Sequence, residues 1–498
     1  MQQETDRRQL VKVVTVVFCL VVVPLILLLL AFIRPATAQT AKHYTDLTYS
    51  PLPALQIPPY SRFQLANGMV VYLMEDHELP LVGGTAYIRT GDRWEPADKV
   101  GLAGLTGAVL RSGGTQSRTA DQLNQLLERR AAAVETGINE TVGTASFNTL
   151  TEDLDQVFGV FSEILQQPAF AADKLAVEKN KVRGAIARRN DDPGSITTRE
   201  FQKLIYGSEN PYARTVEYAT LDNIEQPDLV RFYQQYFHPN NIILGIVGDF
   251  DSKKMRQLVE AKLGSWQPNP NLKLPDLPAV SQVQKGGVFL VNQPQLTQSN
   301  VQIGHLGGQF DSPDYAALSV MNGVLNGFGG RLFNEVRSRQ GLAYSVYAVW
   351  NARFDYPGVF AAGGQTRSEA TVPFVKSILS ELEKIRTQPV SAAELAYAKD
   401  STLNSFIFNF QSPSQTLSRL LRYEYYGYPA DFIFRYQKAI AATTIADVQR
   451  VAQTHLQPEK LVTLVVGNQA QIKPALTNLT TSGKVTAIDI TIPPPSKG

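Results

Sequence analysis

The chain has one cysteine, Cys19, and it sits in the first apolar run. A single cysteine forms no internal disulfide and no cysteine zinc cluster, and the remainder of the chain has no thiol nucleophile. Histidine is nearly as scarce. His43, His77, His238, His305 and His455 are the full set, and no two lie within a helical turn of each other. That spacing excludes the common helical metal site, in which two histidines one turn apart present nitrogens to one ion. Charge of one sign is also missing. The net charge of +2 comes without a basic stripe, which argues against a nucleic-acid partner. No G-x-S-x-G elbow occurs, so a serine hydrolase of that type is excluded.

What is present begins with an export signal. Arg7, Arg8 and Lys12 precede an apolar run from Val13 to Ile33, long enough to cross a bilayer as a helix. Ala36-Thr37-Ala38 fits a small-residue cleavage site, with Gln39 as the new N-terminus. Residues 1–38 therefore read as a signal peptide or a retained membrane anchor, with the basic end inside. The remainder is expected outside the cytoplasm, periplasmic or membrane-anchored. Residues 39–60, rich in Pro, Ser and Thr, read as a tether.

Two halves of one design follow. Asn67-Gly68 between apolar alternations marks a hairpin from Arg62 to Glu75. Leu81 to Thr90 reads as a strand, then helices are expected around Gly101–Ser112 and Ala120–Ala133. Strand Gly143–Leu150, helices Leu154–Gln166, Asp173–Arg189 and Gln226–Tyr236, and strand Ile242–Val247 complete the first half. The second half repeats this order. Pro239 to Pro458 and Gly248 to Gly467 share one offset, as duplication of a roughly 200-residue unit produces. Residues 61–266 and 286–475 form the two domains, 267–285 a stiff Pro-rich linker, and 476–498 a tail. The fold class is α+β: two homologous domains, each a mainly antiparallel sheet covered by helices, preceded by the apolar N-terminal helix.

The most informative stretch is Phe328 to Tyr347, FGGRLFNEVRSRQGLAYSVY. Gly329-Gly330 opens it as a turn, with Gly327 just before. Leu332, Phe333 and Val336 then share one side of a helical segment. Gly341 stands at a left-handed cap position, and Leu342 to Tyr347 alternates like a strand. On spacing alone, Arg337 reads as a solvated helix charge and Tyr344 as half-buried strand filler. The stretch as a whole resembles the C-terminal-domain signature of the pitrilysin-type metallopeptidases, the family of insulin-degrading enzyme, the mitochondrial processing peptidase and small bacterial two-subunit relatives. The resemblance implies two homologous domains facing each other like a clamp. It implies that Arg337 and Tyr344 hold substrate beside a mobile turn of Gly327, Gly329 and Gly330.

Active members of that family carry H-x-x-E-H on a helix of the first domain and a glutamate ligand on a later helix. The flanks of that motif are recognisable here, from Gly91-Asp92-Arg93-Trp94-Glu95-Pro96 to Gly113-Gly114-Thr115. At the positions of His, Glu and His stand Gly104, Gly107 and Ala108, and the later ligand falls at Ala185, or Gly184 if the register shifts by one. No metal is expected on this chain and no catalytic residue is assigned to it. Gly101, Gly104 and Gly107 read instead as a smooth helix face for close backbone approach. The leading expectation is a non-catalytic, substrate-binding subunit paired with a zinc-bearing homologous peptidase subunit, acting on peptides. The alternative is a scaffold or peptide-binding protein with no catalytic partner.

Overall fold

The computed structural model describes residues 56–495. The apolar run and cleavage signal lie outside those residues, as does nearly all of the tether. Among the described residues, no helix is long and apolar enough to cross a membrane.

The first half contains strands β1 (Ser61–Gln64), β2 (Val70–Glu75), β3 (Leu81–Ile88), β4 (Ala133–Ile138), β5 (Gly143–Leu150) and β6 (Ile242–Gly248). Its helices are α1 (Leu102–Ser112), α2 (Ala120–Glu128), α3 (Leu154–Gln166), α4 (Ala172–Ala187), α5 (Pro193–Tyr206), α6 (Tyr218–Asp222), α7 (Gln226–Tyr236) and α8 (Ser252–Leu263). The second half contains β7 (Gly287–Asn292), β8 (Gln298–Leu306), β9 (Ala343–Asn351), β10 (Val359–Arg367), β11 (Val462–Gly467) and β12 (Val485–Ala487). Its helices are α9 (Tyr315–Leu325), α10 (Thr371–Thr387), α11 (Ala392–Phe406), α12 (Pro413–Tyr426), α13 (Phe432–Ala442) and α14 (Ile445–His455).

The strand orders are β1-β2-β6-β3-β5-β4 and β12-β7-β11-β8-β10-β9. The Asn67-Gly68 hairpin is present as β1–β2. The sheets are mixed, which refines the mainly antiparallel expectation. β6 lies parallel to β2 and antiparallel to β3, and β11 repeats this between β7 and β8. A parallel neighbour needs a long crossover, and the helices between β5 and β6 and between β10 and β11 supply it. The largely apolar runs of β6 and β11 follow, since central strands are buried on both faces.

Several elements depart from the sequence reading, helices α6 and α8 among them, and two show why. The helix expected over Ala120–Ala133 stops at Glu128, and Ala133 opens edge strand β4. Three alanines favour helix locally, but pairing of β4 with β5 overrides that weak preference. Helix α5 was not anticipated, although its start carries a clear signal. Asp192 caps it, accepting from the Ser195 N–H at 2.6 Å, and Pro193 fills the first turn.

Helix α5 decides how the halves join. Its Ile196, Phe201 and Ile205 pack on the second sheet, against Phe289, Val291, Val462 and Leu464. Helix α12 of the second half packs reciprocally on the first sheet, through Leu417, Leu420, Leu421 and Tyr425 against Tyr72, Met74 and Ile243. Gly245 gives Leu421 room, because a Cβ there would lie 2.6 Å from Leu421 Cδ1 and that side chain would have to shift. Polar contacts add to the exchange. Arg93 pairs with Asp355 at 2.6 Å, Arg62 and the Tyr72 hydroxyl both reach Glu424 at 2.7 Å, and the Tyr425 hydroxyl donates to Thr141 O at 2.6 Å. The two halves are interlocked by this exchange. The linker is pinned as well: Val283 N donates to Ile205 O at 2.9 Å and Asn210 Nδ2 to Ala279 O at 3.0 Å. Within the segment read as a tail, β12 joins β7, and Asn190 Nδ2 donates to Ile490 O at 2.7 Å.

Candidate functional site

Helix α9 ends at Leu325 with Asn326 as its C-cap, and Gly327 turns the chain at φ 80°, a conformation that favours glycine. The turn is tied at three points. The Gly329 N–H donates to the Tyr397 hydroxyl at 3.1 Å, Asn334 Nδ2 donates to Gly329 O at 3.1 Å, and Gly330 N donates to Gly327 O at 3.0 Å. The Tyr397 ring lies flat against Gly329, where a Cβ would come within 2.7 Å.

The segment that follows is helical, as its period indicates, but wider than an α-helix. Phe333–Arg339 forms a π-turn, with Gln340 N donating to Glu335 O at 3.1 Å. Leu332 and Val336 anchor it in the core. Gly341 stops it at φ 61°, the left-handed cap expected, and β9 begins two residues later.

This corner brings Arg337 and Tyr344 together. The Arg337 Cζ stands 4.6 Å from the Tyr344 ring centroid and 4.7 Å from that of Phe333, so the guanidinium is held between two rings. Tyr344 is 82% exposed, not strand filler, and Phe328 at the turn is 80% exposed. Among the described residues, the Arg337 side chain has no ion pair and no hydrogen bond. Its neighbours differ: Arg331 pairs with Glu394 at 2.6 Å and Arg339 with Glu335 at 2.5 Å. The hydrogen bond from Arg331 holds the Glu394 carboxyl down at about 2. The corner therefore offers free guanidinium donors, a phenol and exposed ring faces. The carboxylates of Glu335, in this stretch, and of Glu394, on α11, are each engaged by an arginine.

The positions that the resemblance aligns with the zinc motif fall on adjacent helices, α1 and α4. Gly104 is exposed and a Cβ there would meet nothing within 4 Å; the same holds for Gly184, and Ala185 is exposed. Gly107 is different. Its Cβ would fall 2.5 Å from Ile138 N and 2.8 Å from Gly137 C, and its carbonyl accepts from Thr136 Oγ1 at 2.6 Å. The close-approach reading thus holds at Gly107 and fails at Gly104. Gly101 has a third role, as the N-cap of α1 at φ 107°. Among the described residues there is no group of three or more His, Cys, Asp and Glu that could hold a metal ion. The described histidines have other partners. His305 is buried and hydrogen-bonded to Leu306 O and Gln457 N, His455 meets Asp314 at 2.7 Å, and His77 meets Asp249 at 2.7 Å.

Two polar features escaped the sequence reading. Glu95 caps α1, accepting from Gly101 N and Ala103 N at 2.9 Å, and burial pushes it up to about 7. Burial, with Glu140 nearby, pushes Asp92 up to about 6. The second feature is Asn322 on α9 and Asn326 at its C-cap, one turn apart, whose amides face β9. Two asparagines four residues apart in the otherwise apolar stretch 315–326 are the signal that could have found them.

Comparison with known proteins matches residues 71–218 to the insulinase model, peptidase family M16, and residues 223–402 to the peptidase M16 inactive domain. A protein of Helicobacter pylori named "Non-peptidase homolog YmxG" is 26% identical over 416 residues, which cover 80% of this chain and 92% of that one. A Bacillus subtilis protein named "Uncharacterized zinc protease YmxG" is 22% identical over 365 residues, 72% of this chain and 86% of that one. The crystal structure of a peptidase M16 inactive domain from Pseudomonas fluorescens superposes with a TM-score of 0.74 at 25% identity, covering 83% of this chain and 100% of that one.

Proposed function

Since the chain belongs to peptidase family M16, the insulinase family, and lacks metal-binding side chains at the zinc-motif positions, we propose that it is a pseudo-peptidase: the non-catalytic, substrate-binding subunit of a heteromeric zinc peptidase. The partner is a homologous chain that carries H-x-x-E-H and the zinc ion. The substrate is a peptide outside the cytoplasm, consistent with the basic start and apolar run at the N-terminus. The observation that carries this reading is Arg337, fixed between Phe333 and the exposed Tyr344 with its donors unengaged. Such a group can donate to a peptide carbonyl or to the oxyanion developing beside the partner's zinc.

The test is a mixed assay with the zinc-bearing partner. Arg337→Ala or Tyr344→Phe should leave the complex assembled and the partner's zinc in place. If the lost group served the oxyanion, kcat falls about a hundredfold, roughly 3 kcal/mol. If it served only the bound peptide, KM rises and kcat stays. The chain alone should hold less than stoichiometric zinc in metal analysis and cleave no peptide. Unchanged kinetics in a folded double variant refute the shared site. They leave the scaffold reading, which the relative named a non-peptidase homolog favours.

A further inference from the structure

Strand β9 is one of the two edges of the second sheet, and half of it is already occupied from within the chain. Asn326 Oδ1 accepts from Ala348 N at 2.8 Å, and Asn326 Nδ2 donates to Ala348 O. Two residues on, Asn322 Oδ1 accepts from Trp350 N at 2.8 Å and Asn322 Nδ2 donates to Trp350 O at 3.4 Å. A side-chain amide has the same donor and acceptor as a peptide unit, so each asparagine stands where one residue of a neighbouring strand would. Residues of an antiparallel strand turn their N–H and C=O alternately toward and away from the partner. With Ala348 and Trp350 facing away from β10, Val346 also faces away, and the hydrogen bonds to that edge include none for Val346 from a side chain among the described residues. Beyond it the ladder is irregular, Ser345 pairing with Gln365 and Ala343 with Thr366, which leaves Tyr344 outside the regular register. The open end of the edge is thus the end at which Arg337 and Tyr344 stand.

We propose that Asn322 and Asn326 set the length and register of the peptide that this chain grips. They stop strand addition at Ala348, so an extended peptide pairs with Val346 only and is held there by Arg337 and Tyr344. An ordinary strand of five or six residues cannot be accommodated. The segment bound is about three residues of backbone. The same capping keeps the edge from pairing with other chains along its length. This inference rests on the substrate-grip reading above, and it can fail independently.

The probes are acetylated and amidated Thr/Val-alternating peptides of three, five and seven residues, titrated against the purified chain with residue-resolved amide exchange. In the free protein, Ala348 and Trp350 amides should exchange slowly and Val346 fast. Binding should protect Val346, and affinity should differ by less than about twofold between three and seven residues. Asn326→Ala frees both backbone groups of Ala348, and the seven-residue peptide should then bind roughly tenfold more tightly than the three-residue one, as two added backbone bonds imply. Asn326→Asp, of equal size but unable to donate to Ala348 O, should show a smaller gain in the same direction. In the wild type, affinity that climbs through seven residues, or Ala348 and Trp350 amides exchanging as fast as Val346, would overturn the proposal and leave the grip reading intact. Failure of every peptide to protect Val346 in all three proteins would overturn both.

Discussion

Gly104 and Gly107 lie one turn apart on α1, and substituting each by alanine should move stability in opposite directions. At Gly104 the added methyl meets nothing within 4 Å, so only helix propensity changes. The gain is about 0.5–1 kcal/mol, because alanine loses less backbone freedom than glycine on folding. At Gly107 the same gain is opposed by a Cβ 2.5 Å from Ile138 N and 2.9 Å from Gly137 Cα. Both contacts are backbone, and the Thr136 Oγ1 bond to Gly107 O fixes the spacing, so relief requires moving β4 off α1. Overpacking of this kind costs about 1–3 kcal/mol, which exceeds the propensity gain. Urea unfolding followed through Trp94 and Trp266, which pack with the first core, reads the difference. Gly104→Ala should unfold at higher urea than wild type and Gly107→Ala at lower. Equal or greater resistance in Gly107→Ala would refute the close-approach argument. The consequence reaches function: a side chain at 104 meets open space, but a glutamate at 107, where the active family members carry the residue that activates the water, does not fit, so point substitutions alone should not restore peptide cleavage.

Two further outcomes follow from the join between the halves. Asp355→Asn leaves Arg93, whose side chain is 3% exposed, without its carboxylate, and should cost about 3–5 kcal/mol. Because α5 and α12 are exchanged, thermal unfolding should show both halves losing structure together in that variant; loss in one half alone would count against interlocking. The second outcome is a pH dependence. Asp92 and Glu95 have folded pKa values, about 6 and about 7, above their unfolded ones, so the folded state holds protons more tightly. Their contribution is full below about pH 4 and is lost as pH rises through 6 to 7. Asp92→Asn should flatten that part of the stability-versus-pH curve measured by denaturant titration, and an unchanged slope would assign it elsewhere.

Much of this molecule is determined by local and periodic features, and those are readable from the chain. The Asn67-Gly68 hairpin, the helices Leu154–Gln166 and Gln226–Tyr236, and the Gly341 stop arise from turn chemistry and apolar period, which act within a few residues. Duplication is legible for the same reason, since the 3-10 turns at Pro239–Asn241 and Pro458–Lys460 introduce equivalent strands. That Gly104, Gly107, Ala108 and Ala185 carry no metal-binding side chain is a matter of residue identity and needs no coordinates.

What the chain alone left undecided are relations between distant segments. Whether Arg337 is a solvated charge or a held donor depends on Tyr344 and Phe333 closing over it, and π-turn geometry sets that. Gly104 and Gly107 look alike in sequence, yet only the second faces β4, because helix phase relative to a strand is a tertiary quantity. The exchange of α5 and α12 is invisible for a similar reason. An amphipathic helix specifies that its apolar face is buried, but not which sheet buries it. Asn322 and Asn326 close β9 only because α9 runs beside that edge, so the limit on the open edge near Arg337 is set by packing.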